Sequence, residues 1–474
     1  MSALAHLERE LKLDPGRDPI DLGALGEPLE PRTFVSTYYD TPSRSLARSG
    51  LTLRRRVENG VSLWQLKLPA DEGRIEVEVQ AGPRAPAELT RVLAAHLRRE
   101  RLETVATLRT RRSGVRVTRQ GRSAADVLRD EVTVLEDRRA VGAFEELEVE
   151  LVEGDAADLR SIERRLLRAG AIAASGAPKL ARVIGDRRPV HTRGGPPSEH
   201  LIAMLTVQLA ELLASDALIR HDLDVEAVHQ LRVATRRLRA YLRAGRAALG
   251  REVTEPIRDE LSWLRSVAGP ARDLDIMSEY LAGELADFPD EDRKAARPLQ
   301  ARLARQRKSA RKALLGGLSS PRYFALLETL EQLVSAPPPQ KDVSLEDTAR
   351  REFRRVRRQV KALGDPTDEE LHRVRIGVKR ARYSTEVAEA SMGSAASRVI
   401  DRAKKIQEVI GEHQDAVVTE EWLRRARAVG ERPEAALVAG ALVERQRARR
   451  ARAREAFPRA WKKLDKAGRR AWTS

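Results

Sequence analysis

The stretch LERELKL, residues Leu7 to Leu13, alternates between apolar and charged side chains. Successive side chains of a β-strand point to opposite faces, so Glu8, Glu10 and Lys12 share one face and the leucines share the other. Two carboxylates then lie beside an ammonium group. Such alternation is also typical of a solvated strand face, so the stretch gains weight only because the pattern recurs.

The same alternation returns in FEELEVEL, Phe144 to Leu151, where Glu146, Glu148 and Glu150 share a face. Basic strands lie between the two acidic ones. The alternation puts Arg54 with Arg56 in LTLRRRV, Gln65 with Lys67 in LWQLKL, Arg109 with Arg111 in LRTRR, and Arg74 with Glu76 and Glu78 in RIEVEV. An ordinary solvent face mixes both signs of charge. Here the acidic strands stand at both ends of the domain and the basic strands in the middle.

Closing such a sheet into a small antiparallel barrel would bring the acidic strands together and line the lumen with charge. Crowded carboxylates repel each other unless a cation compensates them. Glutamate oxygens suit a hard divalent ion such as Mg²⁺ or Mn²⁺, which commonly bridges to phosphate groups. Arginine and lysine on the other walls would hold a polyanion. The sequence therefore predicts a cavity for an oligophosphate and a metal ion.

Seven motifs in a fixed order resemble a known family. They are the ERELK opening, the YYDTP turn at Tyr38 to Pro42, the runs RSGLTLRRR, LWQLKL, RIEVEV and FEELEVEL, and PKLAR at Pro178 to Arg182. Together they resemble the CYTH domain, also called the triphosphate tunnel metalloenzyme domain, over about residues 1 to 190. The resemblance implies an eight-stranded antiparallel tunnel that hydrolyses triphosphate-containing substrates with a divalent metal.

The resemblance also implies roles for individual residues. Glu8, Glu10, Glu148 and Glu150 would be metal ligands. Lys12, Arg54 and Arg56 would be catalytic cations, and Lys67, Arg109, Arg111, Lys179 and Arg182 would bind substrate. Glu76, Glu78 and Glu146 resemble further lumen residues without an assigned role. The segment RDEVTVLEDRRAVG does not align cleanly with the family, which leaves open whether Asp130 or Glu131 faces the lumen.

After the strands, GDRRPVHTRGGPP (Gly185 to Pro197) breaks every pattern and predicts a domain boundary. We expect a tunnel domain at residues 1–190, a linker at 191–197 and an all-α domain at 198–470. The proline run Pro337 to Pro339 divides the helical part into repeats at about 198–336 and 346–470. The predicted fold class is α+β in two domains, with two pseudo-symmetric helical bundles in the second.

The two helical repeats carry matching basic stripes. His229, Arg232, Arg236 and Arg239 take the same offsets as His372, Arg375, Lys379 and Arg382, and each set lies along one helix face. GPARDLD follows the first stripe and GEHQDAV the second, at nearly the same interval. Neither stripe contains a carboxylate of its own. Two such stripes favour a common polyanion over a solvated face.

These repeats resemble the CHAD domain, over about residues 198 to 470. The resemblance implies two four-helix bundles that face each other across a basic groove for inorganic polyphosphate, with the eight stripe residues lining it. Gln414 stands where the first repeat has Arg272, so we expect the second lobe to hold phosphate less strongly there.

Composition narrows the class of protein. The chain has 474 residues and a net charge of +17, most of it after residue 195, which attracts nucleic acid, acidic membrane or an inorganic polyanion. No cysteine is present, which excludes disulfides, thiolate catalysis and cysteine-bound zinc. The start lacks the apolar core of a signal peptide, and no run of 18 apolar residues exists. We expect a cytoplasmic protein without a membrane partner.

The leading hypothesis is a phosphohydrolase that uses Mg²⁺ or Mn²⁺ to cleave inorganic triphosphate or the ends of short polyphosphate, while the helical domain binds polyphosphate. One alternative is a polyphosphate-binding protein without catalysis. Another is an enzyme for thiamine or nucleoside triphosphate, or for cyclisation of ATP. Nucleic acid is not favoured, because the stripes lack interleaved aromatics for base stacking. Chain length, exo or endo cleavage, a shared phosphate path between domains and assembly into a homo-oligomer stay open.

Overall fold

The computed structural model describes residues 4–17, 20–70, 73–98, 100–174, 178–185, 197–221, 226–339, 343–427 and 433–472. The chain divides into two compact units, one of residues 1–189 with 213–227 and one of residues 190–212 with 228–474. The predicted linker at 191–197 falls, apart from Pro197, outside the described residues. The predicted domain limits therefore stay predictions.

The first unit is built on one antiparallel sheet of ten strands, in the order β1-β6-β5-β4-β3-β7-β8-β9-β2-β10. The strands are β1 (Leu4–Glu8), β2 (Glu10–Asp14), β3 (Glu27–Asp40), β4 (Thr52–Glu58), β5 (Val61–Ala70), β6 (Gly73–Gln80), β7 (Glu103–Arg119), β8 (Arg122–Glu136), β9 (Arg139–Leu151) and β10 (Ile172–Ala173). The helices of this region are α1 (Ser45–Arg48), α2 (Ala87–Val92), α3 (Ala94–Leu97), α4 (Ala156–Arg168) and α5 (Lys179–Ile184).

The opening stretch of the chain closes this sheet. Strands β1 and β2 are two halves of one segment interrupted at Arg9; β1 pairs with β6 and β2 pairs with β9. One segment thus holds both edges of the sheet, which removes the free edges that an open sheet would expose. The prediction of eight strands was wrong in number, because this segment counts twice and the two-residue β10 adds a short edge.

Tight turns set the register of the hairpins. Asn59 and Gly60 join β4 to β5, and Gln120 and Gly121 join β7 to β8, all four with positive φ. Two-residue turns of this conformation match the twist of antiparallel strands and favour glycine at the second position. The predicted runs Ala106–Arg112 and Val115–Thr118 consequently form one long strand, β7, within a single hairpin.

The two faces of the sheet differ as alternation requires. Outward apolar side chains such as Leu13 and Val149 pack under Ile162 and Leu166 of α4. Asp155 caps the N-terminus of α4, and its carboxylate accepts hydrogen bonds from the backbone N–H groups of Ala157 and Asp158. The charged side chains that alternate with these apolar ones lie on the inner face. Helix α5 packs against the same inner face through Leu180, which joins a small apolar cluster with Tyr38, Leu108 and Val132.

The remaining chain is helical, as predicted. Its helices are α6 (Pro197–His221), α7 (Ala227–Ala244), α8 (Arg246–Leu249), α9 (Arg251–Ala286), α10 (Asp290–Ala295), α11 (Arg297–Leu318), α12 (Pro321–Ser335), α13 (Leu345–Lys361), α14 (Asp368–Val387), α15 (Glu389–Met392), α16 (Ser394–Arg427) and α17 (Pro433–Ala471). One core packs α13, α14, α16 and α17 into a bundle around Phe353 and Val378. A second core joins α9 and α11 to α16 and α17.

Helix α6 is the one described helix whose length and apolarity would allow it to cross a membrane. Two thirds of its most apolar window, 67%, is buried inside the protein. Burial of this extent is the behaviour of a core helix, and a core position explains the apolar composition without a bilayer.

Candidate functional site

The inner face of the sheet encloses a cavity of about 270 Å³. The predicted residues that line it are Glu8, Glu10, Lys12, Arg54, Arg56, Lys67, Glu148, Glu150 and Lys179, together with Glu76 and Glu78. They come from both halves of the opening strand, from β4, β5, β6 and β9, and from α5. Charged side chains from strands that are distant in sequence therefore line one cavity.

Three carboxylates at this cavity are spaced for a metal ion. Glu8, Glu10 and Glu150 each offer one oxygen, and these oxygens lie within 4.8 Å of one another. All three side chains are half-buried. Burial raises the pKa of Glu8, and the carboxylates of Glu10 and Glu76 add to the rise against the opposing charge of Lys67. Half-buried oxygens at this spacing fit a hard divalent cation.

Glu148 belongs to a second, deeper carboxylate group with Asp130 and Glu146. Protein cations already compensate this group. Lys12 pairs with Glu148, and the Nζ of Lys179 lies 2.8 Å from Glu148 and 2.9 Å from Asp130. Burial opposes the charge of Glu148, yet these ammonium groups and Arg112 hold its pKa well below the usual range. The structure thus separates Glu148 from the other three predicted metal ligands.

Arg109 and Arg111 do not line the cavity, so their predicted role in substrate binding has no support from the position of their side chains. Arg109 is exposed, and the side chain of Arg111 is 65% exposed and pairs with Glu131 outside the sheet. Arg112 faces inward instead: its guanidinium binds both oxygens of Asp130 at 2.8 Å and the Oε1 of Glu150 at 3.1 Å. Adjacent arginines on a strand necessarily take opposite faces, and residue type alone did not reveal which one points inward.

The open question between Asp130 and Glu131 is resolved by their burial. Asp130 is fully buried on the inner face, while the side chain of Glu131 is 45% exposed. Asp40 of the YYDTP turn has a different role. Its buried carboxylate accepts backbone N–H groups from Thr41, Leu46 and Ala47. That motif therefore shapes the turn into α1 rather than contributing a ligand.

The basic wall of the cavity contains both paired and unpaired cations. The Nε of Arg54 donates to Gln65 at 2.7 Å, and the Nζ of Lys67 donates to Glu8 at 2.5 Å. Arg56 has no carboxylate within ion-pair distance among the described residues; its guanidinium lies 4.2 Å from the centroid of the Phe34 ring. Burial and the charges of Arg54 and Arg112 lower the pKa of Arg56 to about 10. Arg56 is therefore a half-buried cation without an ion pair among the described residues.

Arg182 lies beside the cavity rather than in its lining. It pairs with Asp14 and approaches Glu146 at 3.4 Å, and its guanidinium stacks near the Phe144 ring. Lys179, three residues earlier on α5, pairs with Glu146 from the same helix. The two cations of PKLAR consequently fix α5 to the carboxylates of β2 and β9.

In the helical region, the predicted stripes lie on α7 and α14. The first arginine of each stripe sits against a glycine of a neighbouring helix: the Nη1 of Arg232 donates to the Gly269 carbonyl at 2.6 Å, and Arg375 lies beside Gly411. Asp273 pairs with Arg232 at 3.0 Å, so α9 supplies a carboxylate that the stripe itself lacks. The matching contacts show that the sequence repeat is a structural repeat.

The charges of the two stripes act on each other. Burial and the charges of Arg375 and Arg236 lower the pKa of Lys379 to about 6. Burial and the charges of Arg272 and Arg236 lower the pKa of His229 to about 4, as expected for a histidine among cations. Arg236 of the first stripe thus acts on Lys379 of the second. We call this surface between α7, α14 and α9 the groove.

Sequence reasoning included Arg272 of α9 but missed Arg265 on the same helix. Arg265, Gly269 and Arg272 follow one face of that helix, and Arg265 is among the charges that lower the pKa of Arg232 and Lys379. Their helical spacing was the available signal. In the second repeat, Gln414 takes the place of Arg272, and its Oε1 lies 2.8 Å from the Nδ1 of His372. The second lobe therefore has one cation fewer at this position.

Comparisons with known proteins agree with this architecture. The CYTH domain family matches residues 6–182, and the CHAD domain family matches residues 203–424. An uncharacterized protein of Mycobacterium tuberculosis is 34% identical over 509 aligned residues, with 98% of each chain covered. Thiamine-triphosphatase of Homo sapiens is 40% identical over 98 residues, which is 19% of this chain and 41% of the human protein.

Among solved structures, the CHAD domain from the plant Ricinus communis covers 58% of this chain and 94% of its own length, at 22% identity and a TM-score of 0.47. The fold and the lumen define the first domain as a β tunnel of the triphosphatase type, followed by a helical module with paired basic stripes. The family matches complete the identification: the chain belongs to the CYTH–CHAD family.

Proposed function

We propose that the tunnel hydrolyses inorganic triphosphate, or the ends of short polyphosphate, with Mg²⁺ or Mn²⁺. The observation that carries this proposal is the meeting of Glu8, Glu10 and Glu150 in one enclosed cavity whose other walls are cationic. A cavity lined by both signs of charge suits a polyanion with its counter-ion. The location in the cytoplasm and the absence of a membrane partner belong to the same proposal.

In this proposal Glu8, Glu10 and Glu150 hold the metal ion. When bound, such an ion neutralises phosphate oxygens and orients the substrate for in-line attack by water. Phosphoryl transfer needs mainly positioning and charge stabilisation. Glu148 moves from the predicted metal set to a supporting role, because its charge holds Lys12 and Lys179 in place.

The phosphates would lie against Arg54, Arg56 and Lys67. Arg56 is the strongest candidate, because it can bind a phosphate group without first breaking an ion pair with another described residue. A phosphate oxygen would give this half-buried guanidinium an ion-pair partner, and a guanidinium fork matches phosphate geometry. Arg112, in contrast, is fully occupied by Asp130, Glu148 and Glu150.

The direct test measures phosphate release from tripolyphosphate. Activity should require Mg²⁺ or Mn²⁺, and both Glu8→Gln and Arg54→Ala should abolish it in folded protein. We expect Arg56→Ala to reduce turnover by about 10²–10³, the usual cost of removing one charge-stabilising donor. Arg111→Ala is the matched control, because it removes an arginine from the outer face of the same sheet.

The result that overturns the metal role is full activity in chelator. If the purified protein binds polyphosphate but releases no phosphate under any metal, the tunnel is a binding site without catalysis. Equal effects of Arg56→Ala and Arg111→Ala would show that the lumen arginine has no special function.

An organic triphosphate is the second candidate substrate. The observation that favours it is the 40% identity over 98 residues with human thiamine-triphosphatase. A panel of tripolyphosphate, thiamine triphosphate and nucleoside triphosphates at equal concentration decides between them by the ratio of kcat/KM. A higher kcat/KM for thiamine triphosphate than for tripolyphosphate would replace the first proposal.

The groove in the helical domain is proposed to bind polyphosphate and to raise its concentration near the protein. His229, Arg232, Arg236 and Arg239 on α7 and His372, Arg375, Lys379 and Arg382 on α14 would provide the contacts. The supporting observation is that the Nε atoms of Arg239 and Arg375 are buried without a hydrogen-bond partner among the described residues. Arg375→Ala should weaken polyphosphate binding severalfold, whereas Arg459→Ala, an exposed arginine on α17, should not.

A further inference from the structure

A separate cavity of about 350 Å³ lies between α13 and α14, on the side of α14 away from its groove stripe. Three arginines line it: Arg355 from α13, and Arg373 and Arg380 from α14. Glu352 is the one carboxylate in the lining. Arg373 and Arg380 lie seven residues apart and so share a helix face that the four stripe residues do not occupy.

The charge of this cavity is not compensated from within. Glu352 is taken by Arg243, whose Nη2 lies 3.2 Å from its Oε1. Arg355 and Arg380 have no ion pair in the part of the chain that the structure describes. Arg373 has Glu370 at 3.9 Å, at the limit of an ion pair. Burial and the guanidinium groups of Arg243 and Arg355 lower the pKa of Arg380, which is the expected response of a cation among cations.

Cations connect this cavity to the groove. Arg258 is close enough to act on the charges of both Arg239, a groove residue, and Arg380. On α9, Arg258, Arg265 and Arg272 are spaced seven residues apart along one face. Helix α7, which carries the first stripe, reaches the α13–α14 cavity directly, because its Arg243 pairs with Glu352 in the cavity lining, whereas Arg258 of α9 pairs with Glu255.

The arginine of the first repeat that matches Arg380 has different surroundings. Arg237 corresponds to Arg380, and it lines a different cavity, of about 740 Å³. Three carboxylates, Glu386, Glu389 and Asp401, stand in the walls there. The cavity at Arg380 thus has three arginines and one carboxylate in its walls, whereas the cavity at Arg237 has three carboxylates.

We propose that the α13–α14 cavity is a distal subsite for the continuation of a long linear polyphosphate chain that leaves the groove. This inference rests on the proposed polyphosphate binding by the groove. Guanidinium forks match phosphate oxygens. The lining contains no aromatic side chain on which a nucleobase could stack, which favours polyphosphate over RNA.

The test compares Arg355→Ala/Arg380→Ala with Arg354→Ala/Arg358→Ala in the full-length protein. Arg354 and Arg358 are exposed on the same helix but do not line the cavity, so both double variants lose the same charge. Affinities for linear pentaphosphate and for long-chain polyphosphate are measured by titration calorimetry in chelator, which prevents turnover. The subsite variant should bind long chains about tenfold more weakly, as expected for two lost phosphate contacts.

Salt dependence gives a second readout. For long-chain polyphosphate, the slope of log K against log salt should fall by about 1.4 when two contacts are lost, taking the value known for single-stranded polyanions. Pentaphosphate binding should be unchanged, and so should both affinities of the control variant. Equal losses for both chain lengths, or equal losses in both variants, would overturn the subsite.

Two further results would overturn either the groove proposal or the subsite proposal. If the unmodified protein fails to bind long-chain polyphosphate, the groove proposal itself fails, which is distinct from a length-independent response. If the subsite variant loses affinity for a poly(U) RNA while retaining long-chain polyphosphate, the cavity is a nucleic-acid site and this inference is wrong.

Discussion

The tunnel and the groove are both rich in arginine and lysine, but they treat those charges differently. In the tunnel, Lys12, Lys179 and Arg112 meet buried carboxylates at ion-pair distance. In the groove, the charges of Arg375 and Arg236 lower the pKa of Lys379, and the Nε of Arg236 donates to the Tyr383 hydroxyl rather than to a carboxylate. The tunnel is therefore a site that is largely organised before its ligand arrives, whereas the groove is held under mutual repulsion until an anion binds.

Because of this difference, removing a cation should affect mainly protein stability in the tunnel and mainly ligand binding in the groove. Removing one member of a buried ion pair leaves its partner charged and uncompensated, which is strongly destabilising. Removing one cation from a repulsive cluster relieves strain in the free protein and weakens ligand binding instead. The contrast teaches that cation density alone does not distinguish a structural network from a binding surface; the distribution of carboxylates does.

The largest expected effect is on the stability of the tunnel. Arg112→Met leaves Asp130, Glu148 and Glu150 without their shared guanidinium and should lower the free energy of unfolding by about 3–5 kcal/mol. Arg111→Met removes an exposed arginine next to it in sequence and should change the free energy of unfolding by no more than about 0.5 kcal/mol. Urea unfolding of both variants checks the pair, and similar values would contradict a lumen network.

The second prediction concerns the pH dependence of the groove. The pKa of Lys379 is lowered from 10.5 to about 6 by burial and by Arg375, Arg236, Arg265 and Arg382. Between these two values the unfolded chain binds a proton that the folded chain lacks, so the contribution of Lys379 makes ligand-free stability rise with pH across that window. Polyphosphate favours the ammonium form, so affinity should fall by up to about tenfold per pH unit above pH 6.

Lys379→Met isolates this effect. The variant should bind polyphosphate more weakly at pH 6 than the unmodified protein and should show a flatter affinity profile up to pH 8 at constant ionic strength. An identical pH profile in both proteins would show that Lys379 stays charged in the free groove over this pH range.

The smallest expected effect tests whether the two lobes of the groove differ. Arg272→Gln makes the first lobe resemble the second and should weaken polyphosphate binding about threefold to fivefold, the contribution of one exposed ion pair. Gln414→Arg makes the opposite change and should strengthen binding by a similar factor, reduced by the loss of the Gln414 contact to His372. Calorimetric titration of both variants measures the asymmetry, and two changes of the same sign would refute it.

Much of this protein is determined by periodicity in the sequence. The alternation of LERELKL and FEELEVEL put Glu8, Glu10 and Lys12 on one face, and Glu146, Glu148 and Glu150 on another, and the structure has them there. The matched offsets of His229 and His372 placed two basic stripes on α7 and α14. Local patterns succeed because the geometry of a strand or helix fixes which residues share a face.

Only the tertiary structure decided how those faces meet. Closure of the sheet through both halves of the opening strand brought Glu8 and Glu10 to Glu150, gave Glu148 to Lys12 and Lys179, and turned Arg112 rather than Arg111 into the lumen. Packing of α13 beside α14 added Arg355 to the neighbouring cavity, and Arg265 of α9 came close enough to act on the charge of Lys379. The physical reason is that spacing along a chain records the orientation of side chains, whereas distances between segments arise only when the chain folds.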